Sequence, residues 1–230
     1  MASTSSEVWA SDLGLIPYQE AWKLQQEMLL PVASRKIPDV IFFLEHPHVY
    51  TLGRHGKEEN LLLTEAQLRE KGVQFFRVDR GGDITYHGPG QLVVYFVFLL
   101  DTLGVRLFVE FLENTVIDLL ASYGIKGERI TGKPGVWVND KKICSIGIAV
   151  KQGVTQHGLA LNVNADLSYF SYINPCGKPN LPVTSMKQEL KEPLKIPEII
   201  HRASLYAEKR LRRPLRWKSP EEILRLLDTF

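Results

Sequence analysis

A twelve-residue stretch, Arg80-Gly-Gly-Asp-Ile-Thr-Tyr-His-Gly-Pro-Gly-Gln91, holds four glycines and a proline and runs directly into the apolar segment Leu92 to Leu100. Such a run, entered from turns, reads as a buried strand. Glycines at this density let the backbone take positive φ and close around a ligand, because no Cβ intervenes. The order of turn then strand also disfavours a phosphate loop. Neither G-x-x-x-x-G-K-[ST] nor G-x-G-x-x-G stands between a strand and a helix, so no helix N-terminus is on hand for a phosphate. Two successive turns of purely structural purpose remain an alternative. Against it stand Arg80, Thr85, Tyr86 and His87, side chains that geometry alone does not require.

The rest of the chain supports an α+β fold whose sheet is mixed or antiparallel. Pro17 suits a first helical residue, followed by Tyr18, Ala21, Trp22, Gln25 and Leu29 on one face. Val40 to Glu45, Val49 to Leu52, Gln74 to Val78 and Gln91 to Leu100 read as strands. Thr64-Glu-Ala-Gln67 has the form of a capping box. Leu107 to Tyr123 shows helical spacing, with Gly124 as its C′ residue. Gly135 to Val138, Lys142 to Val150 and Gln156 to Asn162 are separated as hairpin strands are. Residues 164 to 186 read as a long proline- and asparagine-rich loop, which in a compact domain points to function or disorder. Helices are expected over Glu198 to Arg210 and from Ser219-Pro-Glu-Glu222 onward. Regular strand–helix alternation, the mark of a doubly wound sheet, is missing.

Composition sets bounds on function. With 44% hydrophobic and 23% charged residues the chain can bury a core. Its longest apolar run is about nine residues, half of what a membrane span needs. Met1 to Ser6 carries no targeting pattern. Two cysteines cannot staple a scaffold, so free thiols and a cytoplasmic location are expected, with no membrane partner. The net charge of +2 hides an asymmetry: Lys187 to Lys218 holds ten Lys/Arg and four Asp/Glu, leaving −4 for the remainder. A solvated helix face or an acidic protein partner accounts for this tail better than nucleic acid does. Aromatic residues are not interleaved with its charges as they are in single-strand binders.

Cys176 sits between a φ-locked proline and a permissive glycine, a setting that displays a thiol on a tight turn. A nucleophilic thiol needs a neighbouring base or cation. His87, His157 and several lysines are candidates. Lys142 opens an apolar strand, but spacing alone favours an ordinary strand-end lysine. Cys144, in the same strand, reads as packing. His46, His48 and His55 lie close together, but no paired cysteines or carboxylates accompany them, so no metal is expected.

Several long motifs, in order, resemble the lipoyl(octanoyl)transferase family. They are Glu45-His-Pro-His-Val-Tyr-Thr-Leu-Gly-Arg54, the Arg80 to Gln91 segment, Gly132-Lys-Pro-Gly-Val-Trp137, Lys142-Ile-Cys-Ser-Ile-Gly147, His157-Gly-Leu-Ala-Leu-Asn-Val-Asn164 and Phe170 through Asn174-Pro-Cys-Gly177. The resemblance covers roughly residues 8 to 190 and implies a fold shared with biotin and lipoate protein ligases, so a catalytic domain is expected over residues 1–190. The last forty residues fall outside it and read as a basic helical extension, 191–230, packed on or tethered to that domain. It further implies that Cys176 is acylated and that Lys142 is its partner. The acyl site would be built from Arg80, Gly81, Gly82, Asp83, Ile84, Thr85, Tyr86 and His87, then Ser145, Ile146 and Gly147, then Gly158, Leu159 and Ala160. The implied donor is octanoyl-acyl carrier protein, and the implied acceptors are lipoyl domains of 2-oxoacid dehydrogenase E2 subunits and the glycine cleavage H protein. No cofactor is implied. The family pattern has His-Pro-Pro where this chain has His46-Pro-His48, a departure away from the two reactive residues. Alternatives are an amidotransferase between carrier domains, an ATP-dependent lipoate or biotin ligase, and a non-catalytic acyl-carrier-binding protein.

Overall fold

The structure, a computed structural model, describes residues 7–100 and 104–227; Met1 to Ser6, where no targeting pattern is expected, lies outside the described residues. Six strands and three helices come first in the chain: β1 (Val8–Leu15), α1 (Tyr18–Ala33), β2 (Val40–Glu45), β3 (Val49–Leu52), α2 (Glu65–Glu70), β4 (Gln74–Arg77), β5 (Ile84–His87), β6 (Gln91–Val97) and α3 (Val105–Ala121). They are followed by β7 (Glu128–Ile130), β8 (Lys133–Val138), β9 (Lys141–Lys151), β10 (Val154–Asn162), α4 (Met186–Leu190), α5 (Ile196–Leu211), β11 (Leu215–Trp217) and α6 (Pro220–Leu227). Eight of the strands form a mixed sheet in the order β11-β1-β2-β6-β10-β9-β8-β7, and β4-β3-β5 form a small second sheet. The fold is α+β.

Each face of the large sheet carries its own apolar layer. Phe96, Leu112, Val116, Leu119, Ile199 and Ala203 pack α3 and α5 onto one face. Tyr18, Met28, Phe42, Val93 and Tyr95 pack α1 onto the other. The small sheet has a separate cluster of Tyr50, Ile84, Tyr86, Phe170 and Ile173. β6 and β10 are buried along their whole length, because both faces of the sheet are covered there.

Local chemistry explains the turns. The β8–β9 connection is Asn139-Asp140 and the β9–β10 connection is Gln152-Gly153, with all four residues at positive φ. Such residues allow the tight two-residue hairpin whose twist matches that of its strands. Both capping boxes form, Thr64 with Gln67 and Ser219 with Glu222. Pro17 caps α1 rather than opening it, at φ −55 and ψ 140, since a proline's fixed φ suits the extended residue before a helix as well as its first turn. Gly124 carries the left-handed turn after α3 at φ +74, one position beyond the C′ site expected for it.

The loop expected over 164–186 is largely ordered by short helical turns, Leu167–Tyr172 and Pro175–Gly177, and Met186 already belongs to α4. The chain from 191 onward supplies α5 to the core and β11 to the sheet edge beside β1. Among the described residues, no helix is long and apolar enough to cross a membrane.

Candidate active site

Cys176 lies on the turn Pro175–Gly177 with φ 56 and ψ 27, a left-handed conformation that a residue with a Cβ adopts only under constraint. Its thiol is exposed, and it receives a hydrogen bond from Lys142 Nζ at 3.2 Å. Lys142, by contrast, is buried at the start of β9. Its N–H donates to Pro182 O and its carbonyl accepts from Thr184 N–H, so the segment after the cysteine turn is stitched to β9 at this residue. The ammonium lies 5.3 Å from the Trp137 ring centroid. The thiol–amine pair expected from the resemblance is thus assembled, although 34 residues separate its members. His87 and His157, the other candidate activators, are engaged elsewhere.

Two concavities meet at this pair. The inner pocket is walled by Arg80, Gly82, Asp83, Ile84, Thr85 and His87, by Ser145, Ile146 and Gly147 of β9, and by Gly158, Leu159 and Ala160 of β10. Tyr18, Val93, Tyr95 and His157 complete it; none of the four was marked as a wall residue in the sequence, because the first three read as core and His157 as a candidate activator of the thiol. Gly81 lines the second concavity, an outer groove of about 390 Å³ bounded by Val105, Lys133, Trp137, Lys178 and Leu181. Tyr86 lines neither. In a strand alternate side chains face opposite ways, so Thr85 and His87 face the pocket while Tyr86 enters the small-sheet core. There its ring stacks on Tyr169 at 5.0 Å and its O–H bonds His48 Nδ1 at 2.8 Å. His48, the departure from the family pattern, also stacks on Tyr169 at 4.3 Å.

The pocket floor is a hydrogen-bond chain that runs from the Arg80 guanidinium to neutral side chains. Arg80 is buried, which lowers its pKa, and its guanidinium donates to Thr51 O at 2.6 Å, Thr51 Oγ1 at 2.8 Å and Gly81 O at 3.0 Å. Thr51 in turn donates to His87 Nε2 at 3.3 Å, and His87 Nδ1–H donates to Gln91 Oε1 at 2.8 Å. Gln91 donates to Asn162 Oδ1, and Asn162 donates to Thr184 O, the residue bonded to Lys142. Glycine-segment and lysine are therefore parts of one network. Burial pushes the His87 pKa far down, so its ring is neutral and fits this donor–acceptor order.

His157, at φ 62 within β10, has its pKa lowered by burial. Its Nε2–H donates to Asp79 Oδ1 at 2.8 Å, and that bond holds the Asp79 carboxyl down at about 2. His46 is likewise buried: Nδ1–H donates to Ile16 O at 2.7 Å, Nε2 accepts from Tyr95 O–H at 2.8 Å, and burial pushes its pKa down to about 4. Cys144 is fully buried and burial pushes its thiol up to about 12, which fits a packing role.

Residues 17–206 match the lipoyl protein ligase A/B catalytic domain family. The chain is 48% identical over 204 residues to an octanoyltransferase of Bacteroides fragilis, covering 84% of this chain and 92% of that protein. It is 51% identical over 174 residues to an octanoyltransferase of Dictyoglomus thermophilum, covering 76% and 74%. Among solved structures, the fold matches a bi-partite lipoate protein ligase from Thermoplasma acidophilum with a TM-score of 0.76 at 17% identity, over 96% of this chain and 92% of that one. It matches a biotin protein ligase from Aquifex aeolicus with a TM-score of 0.53 at 10% identity, over 90% and 70%. The chain belongs to the lipoyl protein ligase A/B catalytic domain family and, within it, to the lipoyl(octanoyl)transferases.

Proposed function

We propose that this chain moves an octanoyl group from octanoyl-acyl carrier protein to a lysine of a lipoyl domain through a thioester on Cys176. The observation that carries this is the 3.2 Å contact between Lys142 Nζ and Cys176 Sγ where the inner pocket meets the outer groove. At that distance the amine and the sulfur can exchange a proton directly. The thiolate attacks the carbonyl carbon of the donor thioester, the bond to the carrier's sulfur breaks, and Lys142 gives its proton to the departing thiolate. Lys142, now neutral, takes a proton from the acceptor lysine's nitrogen as that amine attacks the acyl-cysteine. The amide forms, Cys176 leaves as thiolate, and the enzyme is restored. Dividing the transfer into two displacements is covalent catalysis and gives ping-pong kinetics.

The inner pocket suits the alkyl chain, since β6, β9 and β10 offer Val93, Ile146, Leu159 and Ala160 there. The outer groove suits the leaving and entering partners, because it reaches solvent while sharing Lys142 and Cys176 with the pocket. Acceptors in this reading are the lipoyl domains of 2-oxoacid dehydrogenase E2 subunits and the glycine cleavage H protein.

Intact-mass spectrometry after incubation with octanoyl-acyl carrier protein alone tests the proposal. The expected result is one octanoyl adduct, released by hydroxylamine, mapped to Cys176 and missing in Cys176→Ser. Lys142→Ala should form it slowly. A Cys176→Ala enzyme with full activity would sink the covalent route, and acylation only from an octanoylated domain would mark an amidotransferase.

A further inference from the structure

We infer that Asn60 is the positioning residue for the Cys176 thiol. It ends a short helical turn, Glu58–Asn60, far in sequence from both reactive residues, yet it is buried beneath the cysteine turn. Its side chain faces two ways. Nδ2–H donates to Asp83 Oδ2 at 2.8 Å, and Oδ1 accepts from Asn174 Nδ2–H at 3.3 Å. Its carbonyl accepts from Asn174 N–H at 2.8 Å, and the next residues continue the seam with a Leu61–Ile173 bridge and a Leu62 N–H bond to Tyr172 O. Asn60 therefore ties three pieces of chain: its own loop, the glycine segment through Asp83, and the cysteine turn through Asn174.

Two details show why the tie bears on chemistry. A Cβ at Gly177 would lie 2.8 Å from Asp83 Oδ2 and 3.4 Å from Asn60 Nδ2, so the turn is seated directly on this pair. Asp83 lines both concavities with Cys176, so the Asn60–Asp83 bond borders the space in which the sulfur reacts. The donors that engage it are Asn60 Nδ2–H and, at 2.6 Å, Ile84 N–H. An amide at position 60 supplies the donor toward Asp83 and the acceptor toward Asn174 together. Aspartate has the shape but not the donor.

The test rests on Cys176 being the nucleophile but not on which acyl group it carries. Alkylation of Cys176 by iodoacetamide is followed by mass mapping from pH 5.5 to 9.5 in wild type, Asn60→Asp, Asn60→Ala and Asn174→Ala, alongside thermal melts. Asn60→Asp should alkylate about tenfold more slowly at pH 7, with its profile displaced toward higher pH. Asn174→Ala, which keeps the backbone bond, should shift in the same direction by less. A purely structural role would lower the melting temperature and leave the profile where it was. Wild-type profiles in both Asn60→Asp and Asn174→Ala overturn the inference, whether or not Asn60→Ala folds.

Discussion

Gly135 carries φ +121, and a Cβ there would lie 2.6 Å from Lys142 Cε and 2.5 Å from the Cys144 carbonyl oxygen. The Lys142 side chain passes over this glycine on its way to the thiol, in space that a Cβ on β8 would occupy. Gly135→Ala should displace Lys142 and reduce kcat/KM for acyl transfer roughly a hundredfold, the scale of a misplaced reacting group. Gly104→Ala, at the start of α3 with nothing within 4 Å of the added carbon, is the control and should keep wild-type kinetics. Equal rates in the two variants would contradict the placement of Lys142. A second residue-scale consequence concerns acid. His46 has a folded pKa of about 4, below its ordinary value of 6.5. Stability from keeping this ring neutral is fully present above pH 6.5 and is lost as pH falls toward 4. His87 and His157 act in the same direction. Urea unfolding at pH 7 and 4.5 should differ by about 2.5 kcal/mol from His46 alone. The difference should shrink in His46→Gln, which does not titrate.

Element by element, what could be read from the sequence follows burial and length. β2, β6, β9 and β10 are runs of apolar residues long enough to stand out, and α3 shows its core face at helical spacing. β7 and β11 have three residues each, too few for any period to show. β1 is buried only over its first half, where Ser11 interrupts the apolar residues, and its second half is largely exposed. β5 is hidden inside the glycine segment; its four buried residues read as turn because glycines flank them. The site was legible only in part for a similar reason. Motif resemblance pointed to Cys176 and Lys142, whereas Asn60, Thr51 and Asp79 act through tertiary contacts that no spacing records. One signal lay in view, a polar Asn60 immediately before the apolar run Leu61 to Leu63. The close packing of β6 on β10 gives an element-scale prediction. A Cβ at Gly158 would lie 2.2 Å from Val94 O, so Gly158→Ala must separate the two central strands. A loss of about 3 kcal/mol or more is expected by urea unfolding, together with a lower affinity for the acyl donor. A stable variant with unchanged binding would show that the strand pair can yield.

At the scale of the whole molecule, the charge asymmetry in the sequence is partly answered within the chain. Arg210 pairs with Asp118, Arg213 with Asp39, and Arg216 with Glu7, so three bases of the basic stretch meet acids from distant elements. Arg213 also donates to Glu7 O, while Asp39 accepts from Leu99 N–H; this contact fastens the segment before β11 to both β1 and the end of β6. Apolar packing runs alongside: α5 places Ile199, Ile200, Ala203 and Ala207 in the same cluster as α3 and β6, and Ile223 of α6 joins the cluster around α1. A tail that was merely tethered would bury none of these. Ending the chain after Leu190 would expose that apolar face of α3 and leave β1 as an unpaired edge strand, a template for aggregation. The truncated protein should therefore lose cooperative unfolding and bind a hydrophobic dye, and Ile199→Ala in the full chain should cost about 3 kcal/mol. Arg213→Ala should cost about 2 kcal/mol, the usual scale for a hydrogen bond to a charged group. If the truncated chain instead melts cooperatively and still acylates Cys176, residues 191–230 are an appendage. Under the proposed function their charge would then act on the acidic carrier, and raising the salt should raise the KM for the donor.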